Sequence, residues 1–275
     1  MRFFKSMFFL LLFAGNIAHA QTDYAGAIKD RTSGEPLPYV NIGVVNKNIG
    51  TVSDVNGHFT LTLSPGLDAE MVKVSMVGYE PQTIRVSDFI SKINKNPVIQ
   101  LERSVSTLKE VVVKNKKLQT NTLGNIPGKK TESAGFEKNI LGNEMGVTIK
   151  LKRKPTYIKA FHAIIDFNRY RELKFRLNFY DIKDGLPNNS ILSENIIVDT
   201  EIKKGQLDVD LTDYNIWAEG DFFVSIELIE EMGESGLHFL ADYKGTPVIT
   251  RAASQGKWNT RNDKLSFGFW VTAAY

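Results

Sequence analysis

The chain of 275 residues is 42% hydrophobic and 24% charged, with 34 Lys+Arg against 31 Asp+Glu and no cysteine. This is globular composition at a length that holds one large domain or two small ones, so wholesale disorder, collagen-like structure and a multi-span membrane protein are excluded. Without cysteine there are no disulfides, thiolate nucleophiles, Cys-bound zinc sites, iron–sulfur clusters or lipid anchors on an N-terminal Cys.

Residues 1–20 read as an address. Arg2 and Lys5 precede an apolar centre at residues 7–14, and Ala18-His19-Ala20 supplies small residues at both positions of an A-x-A site. The pattern predicts a secretory signal peptide cleaved before Gln21. The apolar centre falls short of the roughly 20 residues needed to span a bilayer. Nothing later in the sequence reaches that length, so the expected location is the periplasm, the outer-membrane periphery or the exterior.

From Gln21 the sequence predicts short strands separated by turn residues, the spacing of a small β-sandwich. They fall at residues 24–30, 39–45, 50–53, 58–63, 71–76, 82–86 and 98–101, with a short helical stretch at 88–94. Asp54-Val55-Asn56-Gly57 makes a tight hairpin turn, since Asn56 tolerates and Gly57 freely enters the left-handed region. Residues 58–63 alternate, with Phe59, Leu61 and Leu63 on one face.

These residues also carry a resemblance. Gly26-x-Ile28-x-Asp30, Thr32-x-Gly34-Glu35-Pro36-Leu37-Pro38-Tyr39-Val40-Asn41-Ile42, Gly50-Thr51-x-Ser53-Asp54-x-Asn56-Gly57-x-Phe59 and Val77-Gly78-Tyr79 are similar to the carboxypeptidase-regulatory-like domain. The resemblance implies a seven-stranded, transthyretin-like sandwich over residues 21–101, of a kind common in exported proteins of Bacteroidota. It implies no peptidase chemistry. The following run, Leu108-Lys109-Glu110-Val111-Val112-Val113, resembles the TonB-contacting box of TonB-dependent outer-membrane transporters. By that resemblance Leu108, Val111, Val112 and Val113 are candidates for pairing with a partner as an added strand. The chain after Val113 is far too short for a plug and a large barrel.

Residues 102–154 carry 12 basic and 5 acidic residues and include the turn-rich Asn125-Ile126-Pro127-Gly128-Lys129-Lys130. Residues 102–145 are therefore expected to be a basic linker, with a possible strand at 108–113. Beyond it the sequence is β-rich again, with strands predicted at 146–152, 156–167, 174–181, 196–202, 206–211, 221–229, 237–242, 247–251 and 264–273. Asp184-Gly185-Leu186-Pro187-Asn188-Asn189 reads as a loop. About nine strands without helical periodicity predict a second sandwich or jelly roll over residues 146–275, making the protein all-β.

Chemistry is narrowed by exclusion. His58, His162 and His238 form no H-x-x-x-H pair, and there is no G-x-S-x-G elbow, phosphate-binding glycine loop or dinucleotide fingerprint. Asp54-Val55-Asn56-Gly57 lacks the further ligands of a calcium loop. Asp208, Asp210 and Asp213 are a weak metal candidate beside the simpler reading of a solvated edge. No metal, cofactor or catalytic residue is assigned. Trp258 stands out because it sits in a polar loop, Ser254-Gln255-Gly256-Lys257-Trp258-Asn259-Thr260-Arg261, and Trp258, Asn259 and Arg261 are the candidate ligand-binding residues. Near-balanced charge argues against a nucleic-acid partner. The expected function is a non-enzymatic binding or scaffolding protein of the cell envelope that engages a protein or glycan. A carbohydrate-active hydrolase, or its accessory, sited in the second domain is the alternative.

Overall fold

The computed structural model describes residues 21–104, 119–129, 131–233 and 236–275. The leader (1–20) and the candidate partner strand with Leu108, Val111, Val112 and Val113 lie outside the described residues. The described chain is almost wholly β, with one α-helix at Val86–Lys95 and a 3-10 turn at Thr212–Tyr214.

The N-terminal unit has a three-stranded and a four-stranded sheet. In the first, Thr22–Asp30 lies between His58–Leu63, antiparallel, and Val98–Leu101, parallel. In the second the order is Gly50–Val52, Asn41–Val44, Met71–Ser75, Gln82–Arg85. Phe59, Leu61 and Leu63 are buried while their neighbours in the strand are exposed, as a half-buried strand requires. Val72 and Val74 do the same from the other sheet, leaving Lys73 and Ser75 on its outer face. The helix closes this core with Val86, Phe89 and Ile93, one stripe at helical spacing. Asp54 Oδ1 accepts from the backbone N–H of Asn56 and of His58, at 2.9 and 2.8 Å, which accounts for the hairpin turn without a metal.

The C-terminal unit has two antiparallel sheets around one core. One runs Leu186–Ser190, Leu173–Lys183, Phe222–Leu228, Glu144–Ile149, Ile249–Arg251, Asn259–Thr260, with Ile196–Thr200 also paired to Leu173–Lys183. The other runs Ser266–Phe267, Leu237–Asp242, Thr156–Asn168, Phe269–Ala274, Thr120–Gly124; Gly205–Asp210, Ile216–Ala218 and Glu132–Phe136 add to it. Phe239, Phe267 and Phe269 form a mutual aromatic cluster in the core, with ring centroids 4.9 to 5.4 Å apart.

Four expectations are corrected. The unit has more strands than the nine expected, because segments without a readable alternation also pair, among them Thr120–Gly124, Glu132–Phe136, Leu186–Ser190, Ile216–Ala218 and Asn259–Thr260. The expected strand 264–273 is also cut in two: Ser266–Phe267 pairs with Leu237–Asp242, and after Gly268 the chain crosses to pair with Thr156–Asn168. The supposed loop at 184–189 is a hairpin. Asp184 and Gly185 both have positive φ, 53° and 79°, the geometry of a two-residue turn, and Leu186–Ser190 returns as an edge strand where Pro187 is tolerated. The linker reading of 102–145 fails in its later part. Thr120–Gly124 pairs with Phe269–Ala274 and Glu132–Phe136 pairs with Leu237–Asp242, so both strands belong to the C-terminal unit. Asn125, placed by sequence in a turn-rich linker, is buried and donates to Asp242 Oδ1 at 3.0 Å.

Candidate functional site

The two units meet around the loop that precedes Trp258. Ser254 is fully buried, and its carbonyl oxygen occupies the space in which a Cβ on Gly43 or Gly50 would stand. Gly43 and Gly50 are paired residues of the N-terminal unit, so two neighbouring strands present one bare patch to the loop. Gly142 of the C-terminal unit leaves room on the other side, against Ser254 Oγ and N. Polar contacts fix the register: Asn46 N–H donates to the Gln255 carbonyl at 2.9 Å, and Gln255 Nε2 donates to Ser75 Oγ at 2.9 Å.

Beside this seat lies a buried charge network. On Leu173–Lys183, Phe175, Leu177 and Phe179 enter the hydrophobic core while Arg176, Asn178 and Tyr180 alternate onto the face that meets the N-terminal unit. Arg176 Nη2 pairs with Glu227 Oε2 at 2.9 Å. The same guanidinium donates to the Tyr39 carbonyl at 2.6 Å and to Asn41 Oδ1, so one arginine joins the two units. Glu144, in register opposite Glu227, pairs with Arg251 Nη2 at 2.6 Å. Asn178 Nδ2 donates to Glu144 Oε1 at 2.9 Å and Glu227 Oε2 at 2.8 Å, separating carboxylates that are both wholly buried. Burial pushes the Glu144 carboxyl upward, against the pull of Arg251. At Glu227 burial pushes the same way, but the two guanidinium charges of Arg176 and Arg251 outweigh it and hold the group down.

A cleft of about 460 Å³ opens between the units in front of this network. Its volume falls within the roughly 300–1,000 Å³ of small-ligand sites. Lys73 and Tyr79 line it from the N-terminal unit, and Arg176, Tyr180, Arg251 and Trp258 from the C-terminal unit. Carboxamides complete the wall, among them Asn46, Asn188, Asn189 and Gln255, and among the described residues no Asp or Glu lines it. Trp258 is half-buried; the Arg251 guanidinium sits over its ring at 4.7 Å, and Tyr180 and Phe223 meet it edge-on at 5.9 and 5.3 Å. Lys73 is partly buried, and burial together with the nearby Arg251 charge lowers its ammonium from the usual lysine range.

The structure thus brings Trp258 to the cleft and leaves its two sequence companions outside the lining. Asn259 is exposed, with Nδ2 donating to the Lys257 carbonyl at 3.0 Å. Arg261 is exposed and ion-paired with Asp263. The residues missed from sequence were Lys73, Arg176, Arg251, Glu144 and Glu227. For Lys73, Arg176, Glu144 and Glu227 the available signal was a charge on one face of a strand whose other face is apolar; Ile249–Arg251 is too short to show it. Asp208 accepts from His162 and Gln206, and Asp210 accepts from Thr212, so each carboxylate has a local partner. Trp270 stacks on His162 at 5.3 Å, and Trp217 packs on Tyr157 at 5.1 Å, as sheet residues. A second groove between the units, of about 780 Å³, is lined by Gly26, Phe59, Val98, Leu141 and Ile229, with Glu230 and Glu231. It lacks the cleft's cations and carboxamides.

Comparison with known proteins bears on the N-terminal unit. Residues 24–113 match the CarboxypepD_reg-like domain. The chain is 33% identical over 85 residues to the TonB-dependent receptor SusC of Bacteroides thetaiotaomicron, a match covering 31% of this chain and 8% of that protein. It is also 33% identical over 116 residues to the TonB-dependent receptor P39 of Formosa agariphila, covering 40% of this chain and 10% of that protein. The chain therefore spans only a small part of the curated relatives it matches. Among solved structures, the infectious bursal disease virus VP2 subviral particle aligns at a TM-score of 0.27 and 10% identity, covering 92% of this chain and 63% of that one. A likeness that weak carries no argument.

Proposed function

We propose that this chain, whose residues 24–113 form a CarboxypepD_reg-like domain, is a non-enzymatic binding protein of the cell envelope that holds a glycan in the cleft between its two units. In this reading the N-terminal unit is a transthyretin-like sandwich that serves as a rigid wall, and the C-terminal unit is a sandwich of the jelly-roll kind that carries most of the site. The leader-like residues 1–20 support export, and the similarity to two TonB-dependent receptors supports work alongside an outer-membrane uptake system.

The observation that carries the reading is the cleft's chemistry: a tryptophan in its wall among side-chain amides. Amides both donate and accept, which suits vicinal hydroxyls, and an amphipathic aromatic contributes contact area at low entropic cost. The alternative, a carbohydrate-active hydrolase, finds its best support in Glu144 and Glu227, two carboxyls whose environments push them apart. Both are wholly buried, each is matched to an arginine, and neither lines the cleft, which supports a structural role.

The test is calorimetric binding of oligosaccharides to the mature protein, paired with Trp258→Ala. The expected result is weaker binding by the variant with the cooperative fold kept. Equal affinity in the variant, or capture of only a protein partner from envelope extract, would refute the cleft as a glycan site.

A further inference from the structure

We propose that the glycan this cleft takes is acidic, a saccharide bearing a carboxylate that pairs with Lys73. The proposal rests on the glycan reading above and narrows it to a substrate class.

Among the described residues three cations line the cleft, Lys73, Arg176 and Arg251, and no carboxylate does. Arg176 is matched by Glu227 and Arg251 by Glu144, both from behind the wall. Lys73 is the charge left over: among the described residues its ammonium makes no ion pair and no hydrogen bond. An ammonium held partly out of water beside a guanidinium, with no counter-charge, is disfavoured, and an incoming anion relieves that cost. A second unmet donor belongs to the facing, C-terminal unit. Arg251 Nε is buried and has no acceptor, although Arg251 lines the cleft. The cleft's positive charge is thus matched from behind at Arg176 and Arg251 and left unmatched at Lys73, which is where an incoming anion would sit.

The position of Lys73 follows from the fold. Val72 and Val74 fill the N-terminal core, so strand alternation turns Lys73 outward, onto the face that the C-terminal unit covers. Its strand partner is Gly43, the residue against which Ser254 seats. The docking that places Ser254 therefore also places Lys73 opposite Trp258 and the carboxamides. Asn46 and Asn188 have side chains without hydrogen-bond partners among the described residues, which leaves them to sugar hydroxyls.

The experiment compares, by calorimetry at low salt, a tetragalacturonate, its methyl-esterified form, a neutral tetrasaccharide of glucose and a tetraglutamate peptide. Methyl esterification removes the charge and keeps the rings. The expected result is at least tenfold tighter binding of the acid than of its ester, a gap that closes to under twofold in Lys73→Met and persists in Lys73→Arg, with thermal melts reporting that both variants fold. Equal binding of acid and ester overturns the charge preference and leaves the glycan reading standing. Binding of none of the saccharides overturns both. Tetraglutamate binding as tightly as tetragalacturonate, with the same dependence on Lys73, overturns the saccharide assignment in favour of an acidic peptide.

Discussion

The carbonyl oxygen of Ser254 lies in the space that a Cβ on Gly43 would fill, so the missing side chain of one unit is the seat of the other. Gly43→Ala forces the Ser254–Gly256 loop outward. Overpacking of this kind costs about 1–3 kcal/mol. Equilibrium denaturation is expected to show that loss, with faster proteolysis between the units. An unchanged midpoint would mean the loop yields freely and the seat has little energetic weight.

Arg176 joins Glu227 of its own unit to Tyr39 and Asn41 of the other. Removing one partner of a buried pair strands the other, at roughly 3–5 kcal/mol. Arg176→Met is expected near the lower end, because Arg251 still stands 3.9 Å from Glu227 Oε1. The double variant Arg176→Met, Glu227→Leu should be more stable than the single one, since no charge is left unpaired. A double variant that is the sum of two large losses would show that packing outweighs charge at this site.

Asp30 accepts from the backbone N–H groups of Thr32 and Ser33, from Tyr79 Oη and from Arg103 Nε, all at 2.8 to 2.9 Å. Led by the Ser33 N–H and the Tyr79 hydroxyl, these donors hold its carboxyl well below the usual aspartate range. The unfolded chain, with an ordinary value of about 4, then binds the proton more readily than the folded one. Stability from this group is therefore complete above about pH 4 and is lost as pH falls from there through the depressed folded value. Asp30→Asn should lower stability at neutral pH and flatten the acid limb of a pH–stability curve. A variant with the same acid slope as the parent would assign that limb to other carboxylates.

Gly185 turns the hairpin at φ 79° with open space around the position of a Cβ. The penalty of Gly185→Ala is thus conformational alone, about 1–2 kcal/mol for an L-residue in the left-handed region. Thermal unfolding would read it as a lower midpoint with the fold retained. No shift would show that Asp184-Gly185 relaxes into another turn.

Phe269 is fully buried between Phe161, Phe239 and Phe267. Phe269→Ala is expected to cost about 3–5 kcal/mol, as other large aromatic deletions in cores do. Urea titration would measure it, and a loss under 1 kcal/mol would mean the surrounding rings collapse into the gap.

How legible each element was depends on how many of its own residues enter a core. His58–Leu63 announces itself because three of its residues are buried in alternation between polar ones. Thr120–Gly124 buries only Leu123, and Glu132–Phe136 only Phe136, so neither has a period to read. Each exists because its backbone completes the edge of a neighbouring strand. At the cleft, Trp258 was visible as an aromatic out of place in a polar loop. Lys73, Arg176 and Arg251 were not, because each reads as an ordinary outward-facing residue of its own strand.

By itself the sequence determined the β character, the N-terminal strands with their hairpin turns, the basic excess of residues 102–154 and one residue of the cleft. These follow from alternation and turn chemistry, which act over a few neighbouring residues. Only the tertiary structure decided which outward faces stay wet. Docking Gly43 and Gly50 against Ser254 buries a polar sheet face, turns Arg176 and Glu227 into an internal pair and leaves Lys73 without a counter-charge. Those residues are far apart in sequence, and no local rule specifies which of them the packing of two separate cores will bring together.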